Sequence, residues 1–229
     1  VSASLKPLYT AYENNPDYPE RLFLNSAEAL ELADESSMVV VVDTNRPGMT
    51  ECEELLHVAK TIVVLDHHRQ SSDNIDNALL SYIEPYASSA CEMVSEVLQY
   101  IVDDIKIPNL EASSLYAGIM IDTNNFMNKT GVRTFEAAAF LRRSGADITL
   151  VRKMFRDDME SYRAKAQIIS SAEVYHNKYA IARGENLTIE SPTIIGAQAA
   201  NELLDINEVK ASFVLTTYNG RIYVSARSI

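Results

Sequence analysis

Short apolar runs that stop abruptly at a carboxylate recur through the first half of the chain. Met38-Val39-Val40-Val41-Val42 leads into Asp43-Thr44-Asn45-Arg46-Pro47-Gly48, and Thr61-Ile62-Val63-Val64-Leu65 leads into Asp66-His67-His68-Arg69. Continuous Val, Ile and Leu without polar alternation predict strands covered by helices on both faces, as in a parallel sheet. A third apolar segment, residues 115–121, closes on Asp122-Thr123-Asn124. Asn25-Ser26-Ala27-Glu28 and Thr50-Glu51-Cys52-Glu53 have the form of capping boxes that open helices, which gives an αβαβ rhythm. Ser89-Ala90-Cys91-Glu92 opens another helix, with Met93, Val94, Val97, Leu98 and Ile101 as its core stripe.

The second half continues with a helix over 134–143 closed by Gly145 and a longer helical stretch over 158–175 that bridges into a second domain. Residues 179–182, 211–215 and 221–225 then read as strands, and Asn219-Gly220 between the last two is a hairpin turn. The expected fold class is therefore α/β. A larger domain over residues 1–150, with a mainly parallel sheet flanked by helices, precedes a smaller α/β domain over 151–229. No repeat or low-complexity segment interrupts this order.

Parallel strands deliver their terminal residues to one edge, and ligands of open α/β sheets bind at the carboxyl edge. Asp43, Asp122 and His67 together offer hard oxygens and one imidazole, a set suited to Mn²⁺ or Mg²⁺ more than to structural zinc. A pair of such ions can generate hydroxide and neutralise a transferring phosphoryl group. Asp66 is then expected behind the metal, orienting an imidazole, with His68 and Arg69 left to contact phosphate oxygens. Ser88 and Ser89 are further candidates for phosphate contact, although a helix cap explains Ser89 equally well. His57, on the helix from Thr50, and His176, at the end of the 158–175 helix, are assigned to helix ends rather than to ligation. The chain offers no Ser-His-Asp arrangement and no Gly-rich phosphate loop.

Composition narrows the partners. With 229 residues, 47% of them hydrophobic, the chain can bury one large or two modest cores. A net charge of −12 argues against coating long DNA or RNA, since that requires many cationic contacts to phosphates. A small nucleotide needs only a few, for which Arg69, Arg133 and Arg227 are candidates. No apolar run approaches the roughly 20 residues that cross a bilayer, and residues 1–24 lack the form of a signal peptide. Cys52 and Cys91 stand alone and are expected as reduced core thiols.

The Asp43 segment, Asp66-His67-His68 and the Asp122 segment resemble successive motifs of the DHH phosphoesterase superfamily. Within it, residues 42–47 (Val-Asp-Thr-Asn-Arg-Pro), 82–90 (Tyr-Ile-Glu-Pro-Tyr-Ala-Ser-Ser-Ala) and 130–138 (Thr-Gly-Val-Arg-Thr-Phe-Glu-Ala-Ala) are similar to the GdpP-type cyclic-di-AMP phosphodiesterases. So is Val151-Arg152-Lys153-Met154-Phe155 running into Tyr162-Arg163-Ala164-Lys165-Ala166. The resemblance implies a DHH domain holding a binuclear Mn²⁺ site, with Mg²⁺ as the alternative metal, and a smaller DHHA1 domain that closes over the nucleotide. It maps metal ligation onto Asp43, His67 and Asp122, catalytic roles onto His68 and Asp66, and a phosphate-contacting strand onto Val224-Ser225-Ala226-Arg227-Ser228.

The implied reaction is hydrolysis of cyclic-di-AMP to linear pApA by a metal-bound hydroxide. The alternatives are a nanoRNase or pAp phosphatase acting on short linear oligonucleotides, and a non-catalytic nucleotide-binding fragment. The family's upstream His-x-x-x-Asp-x-Asp and downstream Gly-Gly-Gly-His motifs are not in this sequence, so an interior portion of a longer protein is expected. By the same resemblance that parent is anchored in the cell membrane, with this module in the cytoplasm and a homodimer among its assemblies.

Overall fold

The three parallel strands β1 (Met38–Val42), β2 (Thr61–Asp66) and β3 (Leu80–Ile83) lie in the order β1-β2-β3. The structure is a computed structural model that describes residues 5–156, 158–185, 187, 189 and 191–229. β2 is central, and Ile62, Val64, Leu65 and Asp66 are buried along it, as its continuous apolar run predicts. β1 departs from that prediction. Among the described residues it pairs along one edge only, and Met38, Val40 and Val42 are exposed.

α1 (Lys6–Glu13) and α2 (Ser26–Leu32) precede the sheet. Asn25 caps α2 as expected: its side chain accepts the Glu28 N–H at 3.0 Å, and the Glu28 carboxylate accepts the Asn25 N–H at 3.0 Å. The second box does not form. A 3₁₀ turn over Pro47–Met49 draws the Thr50 hydroxyl back onto the Pro47 carbonyl at 2.6 Å, and α3 is confined to Leu55–Val58. His57 lies on that short helix. Cys52, expected in the core, is instead half-exposed beside Glu54.

α4 (Ala90–Ile101), α5 (Asn109–Asp122), α6 (Val132–Arg143) and α7 (Ile148–Met154) build the helical core of the first unit. Ser89 caps α4, its hydroxyl accepting the Glu92 N–H at 3.0 Å. Met93 and Leu98 of the predicted stripe face the core, whereas Ile101 at the helix end is exposed. The third apolar segment proves to be the last half of α5. Its residues are apolar because α4, α6 and α7 pack around it, with Ile121 left exposed at the helix end. At Gly118 a Cβ would lie 2.2 Å from the Cys91 sulfur, so a residue without Cβ lets α4 and α5 close together one turn before Asp122. Gly145 follows α6 with φ +104, the left-handed backbone expected of a helix end.

Contacts divide the chain into compact units over residues 1–155 and 156–229. The division falls beyond residue 150 because α7 belongs to the first core: Val151 is buried there and Phe155 packs against it. The second unit comprises α8 (Met159–Ser170), β4 (Glu173–Tyr175), β5 (Tyr179–Gly184), α9 (Pro192–Leu204), β6 (Ala211–Tyr218) and β7 (Arg221–Ser228). Its sheet runs β4-β5-β6-β7, parallel between β5 and β6 and antiparallel elsewhere. Ile168, Ala180, Ala182, Ile195, Leu203 and Val214 form its core.

The helix expected to reach residue 175 stops at Ser170. Ser171 donates to the Ile168 carbonyl and accepts the Arg183 N–H, which turns the chain into β4. His176 therefore sits in the β4–β5 turn with φ +48, not at a helix end. The Asn219-Gly220 turn is as predicted, both residues having positive φ (50° and 72°) between the paired Tyr218 and Arg221. Among the described residues no helix is long and apolar enough to cross a membrane.

Candidate metal centre

Asp43 and Asp66 leave adjacent parallel strands at the same edge, since Val42 pairs with Leu65 and the Asp43 N–H donates to the Leu65 carbonyl at 3.1 Å. Asp43 holds φ +65. A left-handed aspartate is uncommon and carries a small strain, which points to a functional position. Asp122 arrives from a different element, the last residue of α5. Thr123 ends that helix: its buried hydroxyl donates to the Ile119 carbonyl at 2.7 Å and accepts the Phe126 N–H at 2.9 Å. The backbone then turns sharply, with Asn124, Asn125 and Phe126 all at positive φ.

His67 joins the two carboxylates. Its Nε2 lies 3.3 Å from Asp43 Oδ1 and 4.0 Å from Asp122 Oδ2. His68 is close by, with ring centroids 4.4 Å apart. Asp43, His67 and His68 each offer one ligand atom within 4.8 Å of the other two, a group able to hold a metal ion. Hard carboxylate oxygens with imidazole nitrogens fit a divalent cation of the Mn²⁺ or Mg²⁺ type. The electrostatics agree: the Asp122 carboxyl is pushed above its ordinary value first by burial and then by the charge of Asp43, against the pull of His67, His68 and Lys129. Two carboxylates that oppose each other's ionisation are relieved by a cation between them.

Asp66 lies behind this group and is completely buried. Its Oδ1 accepts the His68 backbone N–H at 3.1 Å and contacts His68 Nδ1 at 2.8 Å, while its Oδ2 accepts from Asn45 Nδ2 at 2.5 Å. The imidazole that Asp66 contacts is that of His68. An ionised carboxylate can only accept, so it fixes the proton on His68 Nδ1 and turns Nε2 outward. Asn45 was not singled out from the sequence. It is buried, and its Oδ1 has no hydrogen-bond partner among the described residues. The Val-Asp-Thr-Asn-Arg-Pro stretch contained it, yet only the fold shows what it touches.

Other sequence candidates are taken up by the structure itself. Ser88 is buried and donates through both N–H and hydroxyl to the Glu92 carboxylate, and buried Ser89 caps α4. Both hydroxyls thus serve to fix the start of α4, and the phosphate-binding reading gives way to a structural one. Arg133 grips Glu96 through Nε at 2.7 Å and a terminal nitrogen at 2.6 Å, and reaches Tyr82 and Glu84 as well. Its guanidinium ties α6 to α4 and β3 and is committed there. Arg69 is exposed next to His68. Arg227 lies on β7 of the second unit, exposed, its Nε donating to Asn201 Oδ1 at 2.7 Å. Burial and the carboxylates of Asp122 and Asp43 push the Cys91 thiol up to about 12, which keeps it a neutral packing group.

Comparison with known proteins places these residues in a family. A match to the DHH family, N-terminal domain, covers residues 3–119, which include Asp43, Asp66, His67 and His68. The cyclic-di-AMP phosphodiesterase PdeA of Listeria monocytogenes is 40% identical over 100% of this chain and 35% of its own length. The cyclic-di-AMP phosphodiesterase GdpP of Geobacillus thermodenitrificans is 43% identical over 88% of this chain and 31% of its own. The bifunctional oligoribonuclease and PAP phosphatase NrnA of Mycoplasma genitalium is 33% identical over 50% of this chain and 36% of its own. The chain spans about a third of the length of these curated relatives. An exopolyphosphatase-related protein of Bacteroides fragilis shares the fold with a TM-score of 0.80 at 20% identity, over 100% of this chain and 67% of that one. With its first sheet and the Asp-His-His exit of β2 inside the matched region, the chain belongs to the DHH family.

Proposed function

We propose that the chain is the catalytic module of a divalent-metal-dependent phosphodiesterase that hydrolyses cyclic-di-AMP to linear pApA. The observation that carries the proposal is the approach of His67 Nε2 to both Asp43 and Asp122, with His68 Nε2 turned outward beside them. Similarity to cyclic-di-AMP phosphodiesterases supports the substrate. Asp43, His67 and Asp122 would hold the cation, Mn²⁺ or Mg²⁺. A cation there activates water and neutralises charge on the phosphoryl oxygens.

Asp66 holds His68 through Nδ1 and leaves Nε2 facing outward, where a proton carried on Nε2 would be donated to a phosphoryl oxygen or handed to the departing ribose O3′. Arg69 adds a second cationic contact. Water oxygen bonds to phosphorus, the bond from phosphorus to O3′ breaks, and the product keeps a 5′-phosphate at one end and a 3′-hydroxyl at the other. The net charge of −12 suits a small nucleotide better than a long nucleic acid. Placement as a cytoplasmic module of a membrane-anchored protein, with residues 151–229 as its smaller DHHA1 domain, belongs to the same proposal.

The test is to incubate the protein that carries this chain with Mn²⁺ and cyclic-di-AMP, and in parallel with short linear oligonucleotides and pAp, and to identify the products by chromatography. Conversion of cyclic-di-AMP to pApA is expected. Cleavage of the linear substrates alone would transfer the module to an oligoribonuclease or pAp phosphatase role, and inertness towards all of them would indicate nucleotide binding without catalysis.

A further inference from the structure

A second feature of the site adjoins the proposed metal-holding residues and shares His67 with them. A cavity of about 620 Å³ opens on the side of His67 and His68 where Arg69, Tyr86, Lys129 and Thr130 meet. Its volume is within the range of small-ligand sites, roughly 300–1,000 Å³. No carboxylate lines it among the described residues, although acidic residues outnumber basic ones, 32 to 20, in the chain. The larger cavity of about 910 Å³ beside β1 carries Asp43, Glu51 and Asp66 instead. Lys129 also feels the charge of Asp122, which lies outside this lining, yet two cations side by side in so acidic a protein favour an anion.

Tyr86 supplies the other half of the recognition. The residue is 94% exposed, yet its backbone is held in a turn. It follows Pro85, its N–H donates to the Glu84 carboxylate at 3.2 Å, and the Ala87 N–H closes the turn on the Glu84 carbonyl at 3.0 Å. A solvent-facing aromatic ring carried on a hydrogen-bonded turn beside cations is suited to a ligand with a planar face and a negative charge. Lys129 likewise holds a left-handed backbone, φ +53, a strained position for a residue with a side chain.

We propose that this cavity seats one nucleotide unit of the substrate, the base stacking on Tyr86 and the phosphate drawn to Lys129 and Arg69. The inference rests on the phosphodiesterase reading for its substrate, but it is tested by binding rather than turnover. Affinities for adenosine 5′-monophosphate and for ribose 5-phosphate are measured by calorimetry on the metal-free protein, its Tyr86→Ala and Tyr86→Phe variants, and Lys129→Ala. The unmodified protein is expected to bind the adenosine nucleotide more tightly than the sugar phosphate. Tyr86→Ala should erase that preference, weakening nucleotide binding by about 5- to 150-fold, the range for loss of one base–aromatic stack. Tyr86→Phe should retain it, and Lys129→Ala should weaken both ligands. Equal affinity for the two ligands in the unmodified protein, an unchanged preference in Tyr86→Ala, or no binding of either would overturn the proposal. Failure of the phosphodiesterase reading would show separately, as absent hydrolysis by a protein that still prefers the nucleotide.

Discussion

His67→Ala is expected to lower metal-dependent hydrolysis of cyclic-di-AMP by more than about 100-fold, beyond the 10–100-fold typical when only a group behind a metal ligand is lost. A single atom explains the size of the effect. His67 Nε2 is the group that approaches both Asp43, at 3.3 Å, and Asp122, at 4.0 Å. Without it the two carboxylates remain on separate elements, a strand exit and a helix end, with no imidazole between them. The loss should appear in turnover and in metal affinity together, while far-UV circular dichroism stays that of the unmodified protein. Turnover retained in the variant would sink the assignment of His67 as a ligand.

Asp66→Ala should damage the fold as well as the chemistry. The carboxylate is completely buried and accepts from the His68 N–H and from Asn45 Nδ2, besides holding His68 Nδ1. Each buried donor left without a partner costs about 1–3 kcal/mol, so a total near ~3 kcal/mol is expected, a large part of the ~5–15 kcal/mol that holds a domain folded. Urea denaturation measures it. Asp66→Asn separates the two effects, since the amide keeps the volume and can still accept from Asn45 but no longer places a carboxylate against His68 Nδ1. That variant should fold with a smaller loss of stability and still lose about 10- to 100-fold in turnover. Unimpaired activity in Asp66→Asn would remove Asp66 from the mechanism.

The legible part of the site was the part written in strand periodicity. Runs of Val, Ile and Leu can be read from local pattern, and a parallel sheet brings their exits to one edge, which is why Asp43, Asp66, His67 and His68 could be placed together. Asp122 is legible by its residues while its element stays open, because a largely buried apolar run looks the same as strand or buried helix. Ser88, Ser89 and Arg133 show the opposite limit. Their types suit phosphate, yet in the fold the carboxylates of Glu92 and Glu96 engage Ser88 and Arg133, and the Glu92 backbone N–H engages Ser89. The role of Asn45 and the juxtaposition of Tyr86 with Lys129 depend on contacts between separate segments, and no local pattern encodes those. The helix ends failed where a neighbouring turn competed for the capping group, as at Thr50, or where a strand partner claimed the chain, as at Ser171.

The claim at the centre of this account is that Asp43, His67 and Asp122 hold a divalent cation. The most direct measurement is a Mn²⁺ titration followed by electron paramagnetic resonance, comparing the unmodified protein with Asp43→Asn. Asparagine tolerates the left-handed backbone of residue 43 and keeps the side-chain size, so the exchange removes charge and leaves geometry. Depletion of the free Mn²⁺ signal by the unmodified protein, and its persistence with Asp43→Asn, is the predicted result. Equal Mn²⁺ uptake by both proteins, or none by either, would contradict it.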